Sequence, residues 1–145
     1  DAAATRDAAT AMHDPTEGGL LTALVETASA SGTELAIERD RVPVRPETEA
    51  CCAALGVDPL ATFGSGALLA AVPPERVDEA TETLSTAGIE VGEIGEVRAV
   101  GDGEGGGGSE GDGSDDGGEG GDGRVLLDGN PIGEAPRDEL YPLWE

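Results

Sequence analysis

The stretch Met12-His-Asp-Pro-Thr-Glu-Gly-Gly-Leu20 decides how the fold of this chain is interpreted. It places the only histidine, an aspartate and a threonine directly before a segment in which apolar residues recur at helical spacing. That segment runs from Thr16 to Ser31, and Gly32 is well placed to end it. The pattern predicts an amphipathic helix with a cluster of polar groups at its start.

Two interpretations of this helix start are open. Asp14 can act as the N-cap, with Pro15 at the first helical position and Glu17 at the third, a capping box that contributes about 1 kcal/mol. Capping does not explain Gly18 and Gly19, because each glycine inside a helix costs about 0.8 to 1 kcal/mol relative to alanine. Glycines in a first turn let a ligand approach the backbone, where free N–H groups bind anions such as phosphate. Spacing alone leaves capping and phosphate binding equally open.

The charge of the chain limits its partners. It has 31 acidic and 8 basic residues, all of the latter Arg, and a net charge of −23. Such a charge repels itself in dilute buffer, whereas molar salt shortens the Debye length to about 3 Å. The composition therefore favours a salt-adapted protein over an acidic nucleic-acid mimic, and it argues against DNA, RNA and anionic membranes as partners.

Location and redox state are also constrained. No apolar run approaches the roughly 20 residues of a membrane-spanning helix, and no signal-like start is present, so we expect a cytoplasmic location. Cys51 and Cys52 are adjacent, a spacing that suits neither a metal site nor a redox motif, and we expect them to be small buried hydrophobic residues.

Helix and strand patterns alternate along the rest of the chain, which predicts an α/β (α+β) domain with a mixed β-sheet covered by helices. The expected inner face of the second helix consists of Ala50, Cys51, Ala54 and Leu55. Predicted strands are Glu34–Glu38, a central strand Ala67–Val72 covered on both faces, Ile89–Val100 and Arg124–Leu127; predicted helices are Pro46–Leu55 and a segment from Pro73-Pro74 to near Gly88.

Residues 101–123 contain only Gly, Ser, Asp and Glu. Such a segment cannot contribute to a core, and we expect a disordered acidic loop inserted between two strands of one domain that spans residues 1–145. A calcium-binding Asp/Gly repeat is the alternative, but the nine-residue period of such repeats is missing.

The block His13-Asp-Pro-Thr-Glu-Gly-Gly-Leu20, followed by Leu24-Val-Glu-Thr-Ala-Ser-Ala-Ser-Gly32, closely resembles the HypE family of hydrogenase maturation proteins and related archaeal proteins, here of haloarchaeal type. These belong to the aminoimidazole ribonucleotide (AIR) synthase superfamily. Shorter matches follow in the same order at Val42–Arg45, Cys51–Pro59, Gly64–Leu69, Val72–Glu75, Ile94–Val97 and Gly123–Leu126.

The resemblance implies a C-terminal domain whose N-terminal partner domain lies upstream, and a chain that begins at Asp1 fits that expectation. That upstream domain would hold most of the ATP and Mg²⁺ and would form a homodimer in the full-length protein. By resemblance, the functional residues are His13 and Asp14 as catalytic residues in the cleft, Thr16, Gly18 and Gly19 as phosphate or nucleotide contacts, and Ser65 and Gly66 as a second wall. Asp14 or Glu17 would assist in holding Mg²⁺, and no dedicated metal site is predicted.

The reaction implied by the resemblance is ATP-dependent activation of an amide or carbonyl oxygen of a small-molecule substrate by phosphoryl transfer. His13 would act there as a hydrogen-bonding group or as a general acid or base. Members of the HypE family end in an acceptor cysteine, whereas this chain ends Leu140-Tyr-Pro-Leu-Trp-Glu145. A phosphotransferase like thiamine-monophosphate kinase and a non-catalytic nucleotide-binding or assembly module therefore remain alternatives.

Overall fold

A four-stranded mixed β-sheet with one long helix against a single face forms the centre of the structure, a computed structural model that describes residues 5–100, 123–135 and 137–140. A separate two-stranded sheet lies beside it. The helices are α1 (Gly19–Ser31), α2 (Pro46–Leu55) and α3 (Val77–Thr86), and the strands are β1 (Ala11–His13), β2 (Thr33–Ile37), β3 (Leu69–Ala71), β4 (Gly95–Ala99), β5 (Arg124–Leu127) and β6 (Asn130–Ile132). Short 3₁₀ turns lie at Arg39–Arg41, Pro59–Ala61 and Pro74–Arg76.

The core lies between α1 and the central strands of the larger sheet. Leu24 of α1 and Val125 of β5 are each 1% exposed, and burying a side chain of this size contributes about 1.5–3 kcal/mol. The predicted inner face of β2, Leu35 and Ile37, is buried in the same cluster. Its members are Leu21, Leu24, Ala28, Leu35, Ile37, Leu60, Ala61 and Val125.

The larger sheet has the strand order β4-β2-β5-β6. Strand β2 pairs antiparallel with β4 and parallel with β5, and β5 and β6 form an antiparallel hairpin. Asp128 and Gly129 connect that hairpin with φ angles of 51° and 80°, the backbone that favours Asp-Gly in a two-residue turn. The predicted mixed sheet covered by helices is confirmed, but β6 was not predicted.

Two predictions about burial are wrong. The segment Ala67–Val72 is not a central strand, because within it only Leu69–Ala71 is extended. This short strand pairs with the three-residue β1 and is half-buried. Helix α2 has the predicted bounds, but only Cys52 is buried, since the helix contacts the domain through Cys52, whose sulfur lies 4.0 Å from the Thr62 hydroxyl. The residues expected on its inner face are exposed, namely Ala50, Cys51, Ala54 and Leu55.

Two elements, strand β4 and helix α3, are also shorter than predicted. Within Ile89–Val100 only Gly95–Ala99 is extended, and helix α3 begins at Val77 after the 3₁₀ turn. Within 101–123, residues 101–122 lie outside the described residues, as do 141–145 of the tail. In the described part of the chain, no helix has both the length and the apolar character needed to cross a membrane.

A buried carboxylate ties three strands together on the sheet face opposite α1. Glu34 of β2 is 6% exposed and lies in register with Arg98 of β4 and Arg124 of β5. Its Oε2 accepts a hydrogen bond from Arg124 Nε at 2.6 Å, and its Oε1 lies 3.8 Å from Arg98 Nη1. Arg98 also pairs with exposed Glu96, whose hydrogen bond and charge raise the pKa of the Arg98 guanidinium.

We expect Glu34→Gln to lower the free energy of unfolding by about 1–3 kcal/mol, because it weakens hydrogen bonds to a buried charged group. Glu96→Gln is the matched control, since it removes an exposed carboxylate from the same arginine and should leave stability unchanged within error. Urea unfolding at fixed salt measures both. Equal effects of the two substitutions would contradict a structural role for Glu34.

Candidate functional site

The loop from His13 to Gly19 joins β1 to α1 and folds back on itself. The carbonyl of Asp14 accepts from the Thr16 N–H at 2.9 Å, and Pro15 between them is buried. The Thr16 carbonyl in turn accepts from the N–H groups of Gly19 at 3.2 Å and Gly64 at 3.3 Å. The helix start and the segment Gly64–Gly66 are therefore adjacent.

The predicted capping box is wrong. Helix α1 begins at Gly19 and its N-cap is Gly18, which has no side chain, so Asp14 is not the N-cap. Gly18 and Gly19 have φ angles of 73° and 65°, outside the right-handed helical region, so the helix cannot extend back to Pro15. Asp14 thus lies several residues before the helix and is exposed.

Gly19 has a reason to be glycine that lies within the protein. A Cβ atom built at this position would lie 2.3 Å from the Thr62 carbonyl oxygen and 2.7 Å from that of Leu60. The backbone that follows the Pro59–Ala61 turn therefore occupies the space that a side chain would need. A glycine at this position explains close packing between the turn and the helix without any ligand.

Gly18 differs, because its N–H donates to a carboxylate. Asp138 Oδ2 accepts that hydrogen bond at 3.2 Å, and its Oδ1 accepts from the Leu140 N–H at 2.9 Å. Asp138 is 6% exposed. Sequence reasoning missed this residue, because 120 positions separate it from Gly18 and no local spacing indicates the contact.

His13 has a carboxylate partner that was also missed. Its Nε2 lies 2.8 Å from Glu26 Oε2, and its Nδ1 lies 3.1 Å from the Asp14 carbonyl oxygen. A neutral imidazole donates from one nitrogen only, so the tautomer of the ring decides which of the two contacts it donates. The side chains are 34% and 56% exposed, which leaves the pair open to a ligand.

The remaining predicted residues lie at the surface around the helix start. The side chains of Asp14, Thr16 and Ser65 are exposed, and Gly66 adopts a φ of 90° with open space around it. Within residues 5–100, 123–135 and 137–140, no three His, Cys, Asp or Glu side chains converge to hold a metal ion. The arrangement offers a backbone N–H at the positive end of a helix dipole and nearby hydroxyl groups, which together suit an anion.

These features define a mixed α/β domain in which a glycine-rich turn precedes the first helix and a second glycine-containing turn packs beside it. Residues 1–107 match the family described as AIR synthase related protein, C-terminal domain, and the chain belongs to that family. The resemblance read from the His13–Leu20 block is thereby confirmed at the level of the superfamily and of HypE-like proteins. A haloarchaeal origin stays a prediction.

Among known proteins, the carbamoyl dehydratase HypE of Rhizobium leguminosarum bv. viciae is 39% identical over 90 residues, which are 61% of this chain and 26% of that protein. The HypE of Cupriavidus necator is 36% identical over 88 residues, 59% of this chain and 25% of that protein. The chain thus spans about a quarter of the length of these relatives.

Solved structures agree with this assignment. The E. coli HypE structure matches with a TM-score of 0.62 and 30% identity, over 67% of this chain and 32% of that one. A HypE structure in complex with ATP matches with a TM-score of 0.59 and 28% identity, over 87% and 36%. The thiamine monophosphate kinase of Aquifex aeolicus, at 0.54 and 23% identity over 88% and 34%, shares the fold.

We expect Gly19→Ala to destabilise the domain by about 3 kcal/mol or more, since it combines a left-handed backbone with overlap against the Thr62 carbonyl. Gly56→Ala is the control: Gly56 has a φ of 71°, but a Cβ there would meet nothing within 4 Å. That substitution should cost only about 1–2 kcal/mol, from the backbone alone. Denaturant unfolding compares the two, and equal losses would show that the close approach at Gly19 is unimportant.

Proposed function

We propose that this chain is the C-terminal domain of an ATP-dependent enzyme that activates an amide or carbonyl oxygen by phosphoryl transfer. In this proposal an N-terminal domain supplies most of the ATP site, and the loop from His13 to Gly19 contributes phosphate and substrate contacts. Membership of the family and the similarity to carbamoyl dehydratases support the reaction class, and the HypE complex with ATP supports the nucleotide.

One observation carries the assignment of the site. A carboxylate, that of Asp138, already accepts a hydrogen bond from the Gly18 N–H at the start of α1. An oxyanion therefore fits this position sterically and in its hydrogen bonding. A phosphate oxygen has the same requirements and carries more charge, so the positive end of the helix dipole would stabilise it as well.

The side chains around Gly18 have separate roles in this proposal. The hydroxyl groups of Thr16 and Ser65 donate to phosphate oxygens from the two adjacent walls. His13, held by Glu26 through Nε2, donates from Nδ1 to the substrate or to the phosphate in place of its contact with the Asp14 carbonyl. These groups bind and orient the reactants, and in phosphoryl transfer positioning and charge stabilisation are most of what a protein supplies.

In this proposal the cation that accompanies ATP is held mainly by the N-terminal domain. The described residues contain no cluster of three acidic, His or Cys ligands, although Asp14 is exposed beside the helix start. Mg²⁺ commonly takes one or two carboxylates together with phosphate oxygens and water. Asp14 fits the part of a single carboxylate that meets a phosphate-bound cation.

We expect Thr16→Val in the full-length protein to weaken ATP binding about tenfold, because one hydrogen bond to a charged phosphate contributes about 1.5 kcal/mol. Thr81→Val is the control, since Thr81 is an exposed residue of α3. Calorimetric titration with ATP, Mg²⁺ and molar KCl measures both. Unchanged ATP affinity in Thr16→Val would show that the Thr16 hydroxyl does not contact phosphate.

Asp14→Asn tests the role of the carboxylate, because the two possible roles predict opposite changes in ATP affinity. If Asp14 meets a phosphate-bound cation, the substitution weakens ATP binding in the presence of Mg²⁺, whereas a carboxylate that faces phosphate directly would repel it, so that the substitution tightens binding. We expect weaker binding and slower ATP hydrolysis. ATP binding without hydrolysis by the wild-type protein would instead support a non-catalytic nucleotide-binding module.

A further inference from the structure

The segment Arg137–Leu140 lies against the start of α1 and makes hydrogen bonds to that helix start and to the Pro59–Ala61 turn. Asp138 contacts the Gly18 N–H, while the Glu139 N–H donates to the Ala61 carbonyl at 3.1 Å. Glu139 Oε2 also accepts from the Asp58 N–H at 2.5 Å. Three contacts therefore hold this segment against the helix start and the Pro59–Ala61 turn.

The Asp138 carboxylate is buried at the start of α1 in a chain with a net charge of −23. It is 6% exposed, and its two oxygens accept from the backbone N–H groups of Gly18 and Leu140. Neutral donors compensate a buried charge only in part. The contact with Gly18 is therefore one that a ligand with more charge and more acceptor atoms can replace.

We propose that Arg137–Leu140 is a latch whose Asp138 carboxylate occupies the position of a phosphate oxygen until nucleotide displaces it. The inference rests on the proposed function, since it assigns the Gly18 N–H to phosphate. One N–H cannot bond fully to Asp138 and to phosphate at once, so the two compete. The apparent affinity for ATP is then reduced by the fraction of molecules in which the latch is closed.

A permanent helix cap is the competing explanation of the same contact, because a carboxylate at a helix N-terminus stabilises the helix. Both explanations predict lower stability when Asp138 is replaced. They differ in the effect on ATP: loss of a cap leaves affinity unchanged or weakens it, whereas loss of a competitor tightens binding.

The experiment measures ATP affinity by calorimetry in the full-length protein for wild type, Asp138→Ala and Asp138→Asn. Asp138→Asn retains an oxygen acceptor and the side-chain shape, so it preserves folding if Asp138→Ala does not. Glu134→Gln is the control, because it removes a charge from an exposed residue that lies close in sequence to Asp138 but outside the segment Arg137–Leu140. We expect Asp138→Ala to bind ATP about three- to tenfold more tightly and Asp138→Asn to show a smaller gain, with Glu134→Gln unchanged.

Amide hydrogen exchange gives a second readout that a cap would not move. If phosphate displaces the latch, ATP increases exchange at Leu140, whose N–H loses the Asp138 carboxylate, while Gly18 stays protected. If wild type binds ATP and both Asp138 variants bind it no more tightly than wild type, the latch is overturned and the proposed function is left intact. If neither wild type nor either variant binds ATP, the latch and the proposed function are both overturned. If only the variants bind ATP, the latch and the proposed function are both supported.

Discussion

The close approach of the Thr62 carbonyl to Gly19 is the constraint on which the site depends. Because that oxygen occupies the space of a side chain, the Pro59–Ala61 turn packs directly on the helix start and buries Leu60 and Ala61 in the core. The left-handed backbone at Gly18 and Gly19 makes Gly19 the first residue of α1 and turns the preceding loop away from the helix axis. Core packing and the orientation of the Gly18 N–H are therefore consequences of one contact.

In the proposed site, recognition of an anion by so acidic a chain would require contact hydrogen bonds. At molar ionic strength, charges are screened beyond about 3 Å, so neither the net repulsion of the protein nor a distant arginine acts strongly on a bound phosphate. A backbone N–H acts within hydrogen-bond distance, where screening has little effect. Asp138 illustrates the point, because a carboxylate lies buried at 3.2 Å from the Gly18 nitrogen despite the charge of the whole chain.

The elements with clear periodicity were predictable from sequence, and the contacts that complete the site were not. Helix α2 has its predicted bounds because Pro46 and Gly56 are strong local signals. The Asp128-Gly129 pair is an equally strong hairpin signal that would have identified β6. The helix start was misplaced because the capping pattern is a local preference, and the packing of the Pro59–Ala61 turn on Gly19 overrides it.

The same distinction explains why the substrate is not fixed by the features described. In the proposed site, a backbone N–H and two hydroxyl groups would recognise the charge and shape of a phosphate, which many substrates share. Accordingly, the same fold occurs in HypE, a hydrogenase maturation protein, and in a thiamine monophosphate kinase. Discrimination has to come from groups that differ in shape or polarity. In the described part of the chain, the candidates nearest in sequence to the two walls are the His13–Glu26 pair and Phe63, which is 55% exposed beside Gly64. In the proposed function, these side chains could vary and change substrate specificity without disturbing the contact at Gly19.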